Sequence, residues 1–201
     1  MKIAIIVGSQ RHGSQSAKIG AEVARRVTAG QAGAAAECEV IELAETVLPL
    51  WDVSFSEPEK AVIDAMGKSI VGADAFVVIS PEWHGMVPAA LKNFFLHFSG
   101  GQLAHKPALL IGVSGGDGGA YPIAELRASS YKNSRICYLP EHLIIRHVES
   151  VFNTDGDNDA RAQAYLDKRM DFALSLLCSY SDALGQVRET MPDASDFANG
   201  M

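Results

Sequence analysis

The chain has 201 residues, 48% hydrophobic and 20% charged, with a formal net charge of -7. That profile belongs to an ordinary globular protein, and the length suits one domain with a well-buried core. The acidic balance excludes a nucleic-acid partner, which needs a basic face, and no apolar run is long enough to cross a bilayer, so no membrane partner is expected either.

Lys2–Val7 (K-I-A-I-I-V) is a continuous apolar run ended by Gly8, the pattern of a strand buried on both faces of a parallel sheet. Ser14–Ala29 carries Ile19, Val23 and Val27 at four-residue spacing and reads as a helix. Glu39–Leu43 is a second strand, and Ala44–Glu57, with Pro49 and Trp51, an irregular connection. Pro58–Val71 is a helix opened by proline, Ala73–Ser80 a third strand, and Pro88–Phe98 a further proline-opened helix. Pro107–Ser114 is a fourth buried strand, followed by a glycine-rich loop and a helix over Tyr121–Tyr131. The fifth strand region is Arg135–Tyr138 with Leu143–His147, split by Pro140, and Asp159–Leu184 is a long closing helix. One domain over residues 1–189 is expected, with a frayed tail over 190–201.

Met1–Val7 is too short and too weakly basic for a secretory signal. Cys38, Cys137 and Cys178 are widely spaced and form no C-x-x-C pair. Reduced thiols, no metal site and a cytoplasmic location are therefore expected.

Strands alternating with helices predict an α/β fold: a three-layer sandwich with a five-stranded parallel sheet in the flavodoxin-like order 2-1-3-4-5. In such a sheet the ligand sits beyond the carboxyl ends of the strands, at the switch point between strands one and three. Three loops lie on that edge. Gly8–Ser16 is rich in hydroxyls and runs into a helix N-terminus; its free N–H groups, with Ser9, Ser14, Ser16 and Arg11, suit a phosphate. The competing reading is a polar loop with Ser14 or Ser16 as the helix cap. The loop lacks both G-x-x-x-x-G-K-[ST] and G-x-G-x-x-G. Ser80–Pro88 sets Trp83, His84 and Gly85 at the mouth of strand three, where backbone amides could meet a flat heterocycle. It reads alternatively as a rigid turn. Ser114–Gly119, with four glycines, lets backbone approach a ligand closely. Together the loops describe a pocket with a phosphate end and an aromatic end, which matches a flavin mononucleotide.

G-S-x-R-x-x-S at Gly8–Ser14, P-E-x-x-G-x-x-P with L-K-N over Pro81–Asn93, and the Gly115–Gly119 loop carry a resemblance. On them, Met1–Phe152 resembles the NADPH-dependent FMN reductase family of azoreductase-, quinone reductase- and chromate reductase-like flavoproteins. The resemblance implies that Ser9, Arg11, Ser14 and Ser16 hold the FMN phosphate, with Gln15 beside them in the same loop. It implies that Pro81, Glu82, Trp83, His84 and Gly85, with Ser114, Gly115 and Gly116, line the isoalloxazine. The family's usual P-E-Y-N-x-S is P-E-W-H-G-M here, and its common asparagine at position 16 is Ser16.

The expected activity is hydride transfer from NADPH or NADH through bound FMN to a small acceptor: a quinone, azo compound, free flavin or metal oxyanion. Backbone amides of Gly115–Gly119, Gly119 included, are expected to stabilise negative charge on the reduced ring. No side chain is required as a catalyst, and His84 is a candidate proton donor. The alternative is a flavodoxin-type electron carrier or a flavin-binding redox sensor without significant turnover. The resemblance also implies a homodimer or homotetramer. Pro88–Phe98 reads as an interface, because Leu91, Phe94, Phe95 and Phe98 exceed what one helix face against a sheet needs.

Overall fold

Alternation along the strands divides the apolar side chains between two cores. Ile3, Ile5, Val77, Ile79, Leu109 and Ile111 pack on one face, and Ala4, Ile6, Phe76, Val78, Ala108 and Leu110 on the other. The strands are β1 (Lys2–Val7), β2 (Glu37–Glu42), β3 (Ala75–Pro81), β4 (Pro107–Val113) and β5 (Cys137–Ile145). They form one sheet in the order β2-β1-β3-β4-β5, and every neighbouring pair is parallel. This computed structural model describes residues 1–31, 33, 35–99, 101–193 and 195–197.

Helices α1 (Gln15–Thr28) and α5 (Ala160–Thr190) cover the first face through Ile19, Val23, Met170 and Leu174. Helices α2 (Glu57–Gly72), α3 (Ala89–His97) and α4 (Ala120–Ser129) cover the second through Ile70, Leu91, Phe94 and Leu126. Both faces are thus closed, as a parallel sheet requires, and the flavodoxin-like sandwich is the observed fold. Between α1 and α5 the buried Arg26 guanidinium bonds Glu22 (2.6 Å) and Asp171 (2.7 Å), and also Asp167.

Three expectations need correction. Pro140 does not split the fifth strand: β5 runs through it. Ala108 pairs with Tyr138 and Leu110 with His142, so β5 carries extra residues over that step. A proline cannot donate to the ladder, and an irregular edge strand is where it is tolerated. The last helix passes Gly185 and ends at Thr190; Arg188 draws its final turns inward by donating to the His105 carbonyl at 3.0 Å. Thirdly, Leu91, Phe94, Phe95 and Phe98 are all buried within the chain. Phe94 packs against Phe95 and Phe98 with ring centroids 5.3 and 5.0 Å apart, so these four side chains form no exposed patch for a subunit contact; Leu96 is the large apolar side chain that this helix leaves exposed. In the segment expected to fray, Ser195–Phe197 forms a 3-10 turn whose Phe197 carbonyl accepts from Arg135. Residues 194 and 198–201 lie outside the described residues.

Candidate functional site

A cleft of about 330 Å³ opens where β1, β3 and β4 end, a size within the ~300–1,000 Å³ of ordinary small-molecule sites. Its floor begins at Gly8, whose N–H donates to the Ile79 carbonyl at 2.8 Å. A Cβ there would lie 2.8 Å from Leu91 Cδ2, so only glycine lets β1 turn against β3 and α3. The chain then turns through Ser9, whose buried hydroxyl accepts from the Arg11 N–H at 3.2 Å. Ser14, and not Ser16, caps α1: its Oγ accepts from the Ala17 N–H at 3.1 Å. The hydroxyl proton of Ser14 remains free to donate. A helix start leaves its first N–H groups without intrahelical acceptors, and here those of Gln15 and Ser16 stay open.

A second line of contacts closes this end from the other side of the molecule. Lys18 Nζ donates to the carbonyls of Val148 (2.7 Å) and Val151 (2.8 Å) and to Asn153 Oδ1 (2.8 Å). Burial lowers its pKa from the usual lysine value. This places Val148 and Glu149 in the cleft wall, where sequence reasoning had assigned nothing. His12, Gly13 and Val113 also line it. His12 Nδ1 meets Glu45 Oε1 at 2.7 Å, and that hydrogen bond raises the pKa of the imidazole. Neighbouring positions in the first loop were the available signal for His12 and Gly13; Val148 and Glu149 had none.

Of the residues named from sequence, Ser9, Arg11, Ser14, Gln15, Ser16, Pro81, Glu82, Trp83, Ser114 and Gly115 come together around the cleft. Four others stand outside its lining. His84 and Gly85 form the tip of a tight reversal, with φ of 50° and 75°. Trp83 and Met86 clasp it by two backbone hydrogen bonds of 3.1 and 2.9 Å. Such a turn needs left-handed backbone at both central positions, which asparagine, histidine and glycine tolerate better than most. His84 is exposed at that tip. The Gly116 N–H donates to Ser114 Oγ at 3.2 Å and the Gly119 N–H to Glu82 Oε2 at 2.6 Å, so both amides have acceptors inside the protein.

The loops are also coupled to each other. The Arg11 guanidinium lies 5.4 Å from the centroid of the Trp83 ring, a cation–π distance. Arg11 makes no ion pair among the described residues, so its charge is available to an anion. Gln15 Oε1 is buried and meets no donor among the described residues. An open helix N-terminus, hydroxyl donors and an uncommitted guanidinium fit the phosphate of FMN. The orphaned Gln15 oxygen fits a donor on the rest of the molecule.

Over 183 residues the chain is 28% identical to an FMN-dependent NADPH-azoreductase of Staphylococcus aureus, covering 86% of this chain and 95% of that protein. It is 31% identical over 130 residues to an NADPH azoreductase of Bacillus sp. strain OY1-2, covering 64% of this chain and 68% of that one. Among solved structures, the flavoenzyme NAD(P)H:(acceptor) oxidoreductase FerB of Paracoccus denitrificans superposes with a TM-score of 0.69 at 22% identity, over 92% of this chain and 97% of that chain. At that identity the likeness speaks for the fold. The model of the NADPH-dependent FMN reductase family matches residues 1–149. All three loops of the cleft fall inside that span, and the chain belongs to the NADPH-dependent FMN reductase family.

Proposed function

We propose that the protein is an FMN-dependent NAD(P)H oxidoreductase that passes hydride from NADPH or NADH to a small acceptor. The observation that carries this reading is the open start of α1 beside Arg11 and the orphaned Gln15 oxygen. In this reading Ser9, Arg11, Ser14 and Ser16 hold the phosphate. Pro81, Trp83, Ser114 and Gly115 would border the ring, and the Gly115 amide would offer a backbone donor to it. Bound FMN supplies the hydride relay; the chain's task is to fix the ring and leave one face open. His84 is the proposed proton donor, reaching the acceptor from its exposed turn.

Past Arg11 and Trp83 the cleft continues into a hollow of about 220 Å³ edged by Met86 and Pro88. Beyond Gln10 and Ala89 lies an apolar basin of about 440 Å³ walled by Leu43, Val47, Leu48 and Leu50. These surroundings suit a flat, largely apolar acceptor such as a quinone or an aromatic azo compound. Around them Leu50, Trp51, Val53 and Met86 are exposed, and this patch supports a homodimer or homotetramer with the cleft near the contact. The reading includes a cytoplasmic location, where three unpaired cysteines stay reduced.

The test is flavin release followed by turnover. Purified protein reconstituted with flavin should yield FMN on chromatography and sustain NADPH oxidation with menadione. FAD, or no flavin, overturns the cofactor assignment. Flavin without turnover leaves the carrier or sensor reading.

A further inference from the structure

The family resemblance places Glu82 among the ring-lining residues, but its contacts describe a different task. Its backbone N–H donates to the Val113 carbonyl at 2.9 Å, which keys the segment after β3 to the end of β4. Its side chain then reaches under the next loop, where Oε2 accepts from the Gly119 N–H at 2.6 Å. The other carboxylate oxygen lies where Gly118 would carry a side chain: a Cβ on Gly118 would sit 2.7 Å from Glu82 Oε1. The loop closes equally tightly on its far side. Gly119 has φ of 99°, its Cβ would lie 2.7 Å from Ile144 Cγ2, and a Cβ on Gly112 would overlap the Gly119 carbonyl. Outside contacts are exposed by comparison: Arg146 Nε donates to the Gly118 carbonyl at 3.1 Å, and His147 Nε2 meets Asp117 Oδ1 at 2.9 Å.

We propose that Glu82 is a positioning residue that braces the Ser114–Gly119 loop from within, and that Gly118 is glycine because the Glu82 carboxylate fills the space of its side chain. Through this brace the carboxylate fixes the Gly118–Gly119 end of the loop, while the Ser114 N–H to the Ile145 carbonyl (2.9 Å) and the Val148 N–H to the Ser114 carbonyl (3.2 Å) fix the end at the cleft wall. The brace is a property of the protein alone; its consequence for flavin rests on the reading under Proposed function.

The experiment compares Glu82→Ala, Glu82→Gln, Gly118→Ala and the double variant Glu82→Ala/Gly118→Ala. Hydrogen exchange at the Gly119 amide is followed in the apoprotein, and affinities for FMN and riboflavin by flavin fluorescence. Loss of a charge-assisted hydrogen bond is worth about tenfold or more in an equilibrium constant. Glu82→Ala should speed Gly119 exchange and weaken both flavins by about that factor, leaving the ratio of FMN to riboflavin affinity unchanged because the phosphate end is untouched. Glu82→Gln keeps an acceptor of the same reach and should recover most of the loss. Gly118 does not occupy the left-handed region, so alanine there is opposed by the carboxylate and not by the backbone. Its cost should therefore vanish once Glu82 is removed, and the double variant should bind no worse than Glu82→Ala. Additive losses, or unaltered Gly119 exchange in Glu82→Ala, overturn the brace. A wild-type protein that binds neither flavin overturns the functional reading, while Gly119 exchange still decides the brace.

Discussion

The two ends of the sheet treat polar groups differently. At the amino ends of the strands each one named here is answered inside the chain. The Lys2 N–H donates to Asp74 Oδ2 at 2.8 Å, and Lys2 Nζ meets Glu39 Oε2 at 2.6 Å, while Glu39 Oε1 also accepts from Ser69. The buried Lys106 ammonium donates to the Ile70 and Val71 carbonyls at 3.1 and 2.8 Å, closing the last turn of α2. At the carboxyl ends the Gln15 and Ser16 amides, the Gln15 carboxamide oxygen and the Arg11 guanidinium are left open. Buried polar groups in a folded protein are normally paired. Gln102 Oε1 and His142 Nδ1 are also buried without a partner among the described residues, so it is the grouping of the Gln15 oxygen with open amides and an uncommitted guanidinium that marks the carboxyl edge as the one whose partners come from outside the chain.

This contrast predicts that substitutions at the two ends affect different measurements. The largest effect is expected at Arg11. Arg11→Ala removes a charge-assisted contact worth about 1.5–3 kcal/mol, so FMN affinity should fall ten- to about 150-fold. The apoprotein should melt as wild type does, because among the described residues the Arg11 side chain makes only the cation–π contact with Trp83. An unchanged dissociation constant would place the phosphate elsewhere.

At the opposite end, Lys106→Met should lower the melting temperature by several degrees and leave FMN affinity alone. Removing the ammonium strands two carbonyls, at a cost of about 1–3 kcal/mol. A loss of flavin affinity would break the division between the two ends. Lys106 also gives this end a pH signature. Burial, aided by Arg188, lowers its pKa to about 8. Between about 8 and the ordinary value of 10.5 the unfolded chain holds a proton that the folded chain has released, so the Lys106 contribution to stability rises with pH across that window. Melting of wild type against Lys106→Met at pH 7, 8, 9 and 10 should show wild type gaining on the variant. Parallel curves would contradict the burial of its charge.

The smallest effect on stability is expected at the His84 turn, and it separates backbone from chemistry. Asparagine accepts left-handed backbone as histidine does, so His84→Asn should change stability by no more than about 0.5 kcal/mol and keep bound FMN. If His84 donates the proton, stopped-flow should show normal flavin bleaching by NADPH but slower reoxidation by a quinone. Matching rates in both half-reactions would remove His84 from the proton path. Trp83 cannot serve in the same way, because its contact with Arg11 ties the ring end of the cleft to the phosphate end.

The sequence by itself determined the layers of this protein and the edge that carries the site. Buried apolar runs such as Ala75–Ile79 and the spacing of Ile19, Val23 and Val27 are local signals, written in neighbouring residues, and they imply the parallel sheet and its ligand-binding end. What only the tertiary structure decided is which polar groups are spent and which remain. Whether Glu82 faces a ligand or braces Gly119 depends on a partner 37 residues away. Val148 enters the cleft wall through Lys18, 130 residues away. Phe94 and Phe98 look like surplus apolar surface until the sheet and α2 close over them. Hydrogen-bond satisfaction and burial are properties of three-dimensional neighbours, and residue spacing carries no record of them.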